Sequence, residues 1–239
     1  MTQSTLTQTE AQLAPAFDYL ELAHLMTLMT GDEKHSTSAT STLDVLWVLY
    51  DRVMRFDPAW PNDPNRDRFL LSKGHGPMAY YAVLVAKGLM PVEWLSTFGS
   101  YESPLGWHPD GALVPSIEIA SGSLGHGLPI AVGAAAALRA RSAASPRVYC
   151  LIGDAELDEG SNHEAIFLAA ALHLESLTAI VIDNRSASHG WRGGIASRFE
   201  VEGWSTATID GRDHDAIESA LSQAHPGRPH CVVAITEDK

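Results

Sequence analysis

Two oxygen-bearing side chains stand just past the two most apolar runs of the sequence. Arg147–Ile152 leads into Gly153-Asp154-Ala155-Glu156, and Leu177–Asp183 leads into Asn184-Arg185-Ser186. Asn184 follows Asp154 by 30 residues, the length of one strand–helix–strand unit. If the two runs are neighbouring parallel strands, both side chains reach the same rim. A carboxylate oxygen, an amide oxygen and nearby backbone carbonyls suit a hard cation such as Mg²⁺, with water and phosphate oxygens filling the remaining positions. A helix starting near Ser161 would aim its free N–H groups at that edge and favour an anion. Either residue alone reads more readily as an Asp in a strand-to-helix turn or an Asn capping a loop. The pairing carries the chemistry.

Histidines in glycine- and proline-rich settings form a second group. His75 lies in Lys73-Gly74-His75-Gly76-Pro77 and His108 in Gly106-Trp107-His108-Pro109-Asp110. Each alone could be a loop histidine, capping a turn or facing solvent. Glycines beside His75 would let backbone and imidazole approach a ligand closely. Gly122-Ser123-Leu124-Gly125-His126-Gly127 is either a glycine-rich helix entry used for packing or a lining for a ligand. His35 has the plainer flanks Glu33-Lys34 and Ser36-Thr37. His163 and His189 fall in the loops beyond the two apolar runs, whereas His24, His173, His225 and His230 have no motif around them.

The elements that must position these groups alternate helix and strand. Apolar spacing predicts helices over Phe17–Thr30, Thr42–Arg55, Met78–Lys87, Gly125–Arg141, Asn162–Leu174 and His214–Ala224. Strands are expected at Arg68–Ser72, Arg147–Ile152, Leu177–Asp183, Ser205–Asp210 and His230–Ile235, with long loops at Asp57–Asn65 and Tyr101–Pro115. Strands separated by helices imply an α/β fold, a doubly wound parallel sheet covered on both faces, whose ligands sit at the carboxyl ends of the strands. Residues 1–16 are expected to be a flexible or packing arm, and 17–239 one single domain.

Composition narrows the class. Apolar residues at 45% of 239 provide an ample core, and no run approaches the roughly 18–20 apolar residues of a membrane span. The first residues lack the Lys or Arg of a signal peptide. Sixteen basic against 29 acidic residues leave a net charge of −13, which disfavours nonspecific nucleic-acid binding. Cys150 and Cys231 in apolar runs predict reduced, buried thiols in a cytoplasmic protein. No G-x-G-x-x-G follows an early strand, so a pseudo-Rossmann nucleotide site is disfavoured.

The stretch GDAELDEGSNHEA followed by LTAIVIDN, together with DRFLLSKGHGPMAYY, resembles transketolase over nearly the whole chain, specifically the N-terminal subunit of a split, thiamine diphosphate-dependent transketolase. Ala155 stands where the family's Gly-Asp-Gly has its second glycine. The resemblance implies thiamine diphosphate held through Mg²⁺ (or Ca²⁺ or Mn²⁺) by Asp154, Asn184 and the carbonyl of Ser186. Gly153, Ala155, Glu156, Ser123 and Leu124 would contact the cofactor, and His75 would contact both its diphosphate and the sugar. His108 would bond the terminal hydroxyl of the two-carbon unit, favouring a hydroxylated donor over pyruvate, since a methyl would leave the imidazole unpaired. His35 would exchange protons with substrate hydroxyls.

The family's activating Glu belongs to a pyrimidine-binding domain that this sequence lacks, and Glu118 resembles a first-domain residue instead. A C-terminal partner subunit carrying that Glu is therefore expected, in an α2β2 assembly with sites at interfaces. The expected reaction moves a two-carbon ketol unit from a ketose, such as a sugar phosphate, to an acceptor. The sequence stops after Ile235-Thr236-Glu237-Asp238-Lys239, short of a further family histidine, which leaves room for delivery to a lipoyl or carrier-protein thiol. The competing readings are an E1-type component of a 2-oxoacid dehydrogenase and a non-catalytic relative, for which Ala155 speaks.

Overall fold

Six consecutive buried residues, Val148–Gly153, form β2, and seven, Leu177–Asp183, form β3. Residues buried on both faces are what a central parallel strand requires. The computed structural model describes residues 17–31, 36–141 and 146–237; the expected arm at 1–16, and His35, lie outside them. β2 and β3 join β1 (Arg68–Leu71), β4 (Ser205–Asp210) and β5 (His230–Ile235) in one five-stranded sheet. Its order is β1-β2-β3-β5-β4 and every pairing is parallel.

Alternate side chains feed two separate cores. Tyr149, Leu151, Ile180, Ile182, Val232 and Ala234 pack on one face with α1 (Tyr19–Thr27), α2 (Ser36–Val48), α3 (Met78–Ala86) and α7 (His214–Ser222). Cys150, Ile152, Ala179, Val181, Cys231 and Val233 pack on the other with α4 (Gly127–Arg141), α5 (Gly160–Ala171) and α6 (Ile195–Glu200). This is the doubly wound α/β arrangement. All nine residues of α3 are buried, as an all-apolar helix should be. A capping box starts α1: Asp18 accepts from the Leu20 and Glu21 amides, and Glu21 accepts from the Asp18 amide at 2.8 Å.

Several helix boundaries differ from the periodicity. The second helix begins at Ser36, six residues before the expected Thr42, and ends in a π-turn at Leu49–Val53. The Ser/Thr run at its start disfavours a helix on propensity. Here the hydroxyls of Thr40, Ser41 and Thr42 bond back to the carbonyls of Thr37, Ser38 and Ala39, so helix and side chains are satisfied together. α4 starts at Gly127, and α5 starts at Gly160 and stops at Ala171. The short α6 was not expected; it follows Gly193 and Gly194, both at positive φ. Among the described residues no helix is long and apolar enough to cross a membrane.

Candidate cofactor and metal site

The register of β2 on β3 pairs Gly153 with Ile182, so Asp154 and Asn184 both leave the sheet at its carboxyl edge. The Asp154 amide donates to the Ile182 carbonyl at 3.0 Å, carrying the pairing one residue past β2. The Asp154 side chain is 2% exposed. Its Oδ1 accepts from the Ser186 hydroxyl at 2.5 Å and from the Ala155 amide at 2.9 Å, and its Oδ2 accepts from the Ala187 amide at 3.0 Å. These bonds leave acceptor capacity on the carboxylate. Arg185, next to Asn184, takes a left-handed φ of 59°, unusual for a non-glycine residue, and its guanidinium pairs with Asp183 at 3.2 Å.

Asn184 is oriented by a long contact from its Nδ2 to Ser41 Oγ, 3.5 Å. Its Oδ1 is buried and has no hydrogen-bond partner among the described residues. A buried amide oxygen without a donor is costly in isolation. It is the acceptor a cation would satisfy, and with the carboxylate of Asp154 it makes an all-oxygen set suited to Mg²⁺. The residues present therefore fit a hard cation.

A cleft of about 460 Å³ opens beside this edge, lined by Thr37, Ser38, Lys73, His75, Leu124, Gly153, Ala155, Glu156, Asn184, Ser186 and Glu237. Seven of the residues singled out in the sequence thus share one cavity. Asp154 borders the adjacent hollow of Asp183, Arg185 and His189 instead, and reaches the cleft wall through its bond to Ser186. Ala155 has no positive φ, so its methyl imposes no backbone strain where the family motif has glycine.

Lys73 was not singled out, although it lies within the glycine-flanked motif of His75. It is 7% exposed, and its ammonium donates to the Ser38 carbonyl at 2.8 Å and to Ser38 Oγ at 2.5 Å. Burial pulls its pKa down to about 8, against the opposing pull of Asp154 and Glu156. The Ser38 hydroxyl in turn donates to the His75 carbonyl at 3.3 Å. The start of α2 and the His75 loop are joined through one buried cation. Nothing in the spacing of α2 marked Ser38.

Glu156, 1% exposed, turns its carboxylate inward. It accepts from the Ser72 hydroxyl, from the Gly125 amide at 2.9 Å and from the Gly153 amide at 3.2 Å. Burial raises its pKa while these three donors and Lys73 lower it.

His75 and His108 meet edge to face, with ring centroids 5.6 Å apart. His108 is seated by Gly74 and Gly122, where an added Cβ would come within 3.0 Å and 2.9 Å of its ring. Ser123 Oγ lies 2.6 Å from His126 Nδ1, and Leu124 is exposed on the cleft. His163 is tied to Arg198 and Trp191. Glu118 pairs with Arg66.

A parallel sheet with a polar cleft across the carboxyl ends of its strands defines a cofactor-binding α/β domain. The chain belongs to the transketolase family: the family described as "Transketolase, thiamine diphosphate binding domain" matches residues 18–236. It is 36% identical over 210 residues to the 6-deoxy-6-sulfo-D-fructose transketolase subunit SqwG of a Clostridium species, covering 84% of this chain and 76% of that one. It is 55% identical over 218 residues to a Rhodococcoides fascians protein named ferredoxin fas2, covering 91% and 72%. Ferredoxin-type iron–sulfur clusters take four cysteine thiolates; this sequence has two cysteines, both buried in strands. The solved transketolase of Campylobacter jejuni superposes with a TM-score of 0.75 at 28% identity, over 91% of this chain and 37% of that one. The chain thus spans about a third of the solved transketolase it matches.

Proposed function

We propose that this chain is the cofactor-anchoring subunit of a two-subunit transketolase that moves a two-carbon ketol unit from a ketose donor to an acceptor. The observation that carries the reading is the donorless, buried Oδ1 of Asn184 at the strand edge it shares with Asp154. Asp154, Asn184 and the Ser186 carbonyl would hold Mg²⁺, and Gly153, Ala155, Ser123, Leu124 and His75 would line the diphosphate and thiazolium. Thiamine diphosphate, when bound, supplies the nucleophilic carbon and electron sink for cleaving a bond next to a carbonyl. His108, set against His75, would accept or donate a hydrogen bond to the donor's terminal hydroxyl, and His35 would move protons at substrate hydroxyls. Residues 17–239 act as one diphosphate-binding domain in this reading, in a cytoplasmic α2β2 assembly.

A partner subunit would supply the activating Glu. Relatives whose names describe one subunit of a transketolase support a second chain, and so does the surface. Ile130 on α4 and Phe167 and Leu168 on α5 are 46–59% exposed, and both helices are apolar without a clear polar face, the pattern of helices covered on all sides.

The test is calorimetric titration of thiamine diphosphate with Mg²⁺ into the chain with its copurifying partner, followed by a comparison of fructose 6-phosphate and pyruvate as donors. Magnesium-dependent binding that Asn184→Ala abolishes, with turnover of the ketose only, is the expected result. Absence of binding would favour a non-catalytic relative, and turnover of pyruvate an E1-type component.

A further inference from the structure

We propose that Glu156 is a positioning residue that fixes three separate loop backbones as one preformed cradle for the diphosphate, rather than a residue that touches the cofactor. This inference rests on the cofactor reading above and assigns to Glu156 a task that the resemblance does not.

The three donors to its carboxylate come from three segments far apart in sequence. Ser72 precedes the His75 loop after β1, Gly125 follows Ser123 and Leu124, and Gly153 ends β2 next to Asp154. The bonds continue outward. Ser72 Oγ also accepts from the Gly127 amide at 2.9 Å, at the start of α4. Ser161 Oγ donates to the Gly125 carbonyl at 2.8 Å, and Asn162 Nδ2 donates to the Glu156 carbonyl at 2.6 Å, both from the first turn of α5. One buried side chain is therefore shared by every segment that carries an expected diphosphate contact except the Asn184 loop.

Two of the donors are backbone amides, which cannot reverse their role. A carboxylate answers both; a glutamine at 156 offers one oxygen and one NH₂ group, so one backbone N–H would face a donor. Removing an acceptor from a buried N–H costs the desolvation of that group. The loops can relieve it only by parting, which opens the cradle. A charged acceptor also orients the three donors more strongly than a neutral one.

The test uses the full chain with its partner and two variants, Glu156→Gln and Ser72→Ala. Thiamine diphosphate affinity is measured calorimetrically at saturating Mg²⁺, and amide hydrogen exchange is followed without cofactor. Glu156→Gln should weaken thiamine diphosphate binding about tenfold or more, with a smaller loss of turnover once cofactor is saturating. Ser72→Ala should weaken it a few-fold. Exchange should rise together in Ser72–Gly76, Gly122–Gly127 and Gly153–Ala155, because one tie holds all three. Unchanged affinity in folded Glu156→Gln overturns the proposal, as does faster exchange confined to 153–156. If Glu156→Gln does not fold, unchanged affinity in Ser72→Ala has the same force. If the unmodified protein binds no thiamine diphosphate but the exchange still rises in concert, the functional reading falls while the shared cradle stands.

Discussion

The imidazole of His108 rests on the α-carbon of Gly122, where a methyl group would come within 2.9 Å of its Cγ. Gly122 also has φ +102°, which an L side chain adopts only under strain of about 1–3 kcal/mol. Gly122→Ala should lower the melting temperature and raise the KM of a hydroxylated donor more than it lowers cofactor affinity. A donor KM that stays within about twofold of the parent would remove His108 from the substrate's terminal hydroxyl.

Lys73 makes stability depend on pH on the alkaline side. Its pKa falls from 10.5 to about 8 on folding, chiefly through burial. Between those values the unfolded chain holds more protons, so stability rises with pH there and the full cost stands below pH 8. Lys73→Met should stabilise the cofactor-free protein at pH 7, by at most a few kcal/mol, with the gain shrinking as pH approaches 10. It should also weaken cofactor binding. Thermal melts at pH 7 and 9.5 decide; an equal difference at both would mean that folding leaves the proton affinity of this lysine unchanged.

His230 acts on the acid side. Burial first, and His225 second, lower it to about 4 from 6.5, and its Nδ1 has no hydrogen-bond partner among the described residues. Below pH 6.5 the unfolded chain takes up a proton that the native state refuses. Stability then declines as the pH drops to about 4, by up to a few kcal/mol. His230→Gln, which can still reach the Ala220 carbonyl that the ring contacts at 3.2 Å, should flatten this limb. Denaturant midpoints at pH 5 and 7 with the same slope as the parent would count against His230 as its source.

Ala155→Gly should leave thiamine diphosphate affinity within about twofold, since residue 155 does not occupy the left-handed region that favours glycine. A tenfold gain on restoring glycine would show that the methyl obstructs the cofactor.

Much of this geometry was legible because burial and period coincide. The apolar runs at β2 and β3 left no other assignment, and their 30-residue offset placed Asp154 and Asn184 on one rim. What escaped the sequence has long-range causes. Glu156 bonds to residues 84 and 31 positions away, partners that no local motif spells out. Lys73 owes its shifted proton affinity to burial against Ser38, 35 residues earlier. The early start of α2 was hidden because serine and threonine rank low in helix propensity, and only the fold shows their hydroxyls bonded back to the preceding turn.

Cys150 and Cys231 face the same core from strands that flank β3, each in register with Ala179. One full strand stands between the two sulfurs, and neither is exposed. A thiol reagent can therefore reach them only when the α4–α6 layer lifts from the sheet or the sheet itself opens. The protein carries its own clock for opening of this layer, and the rate of labelling with and without cofactor would time how firmly an occupied rim holds it shut.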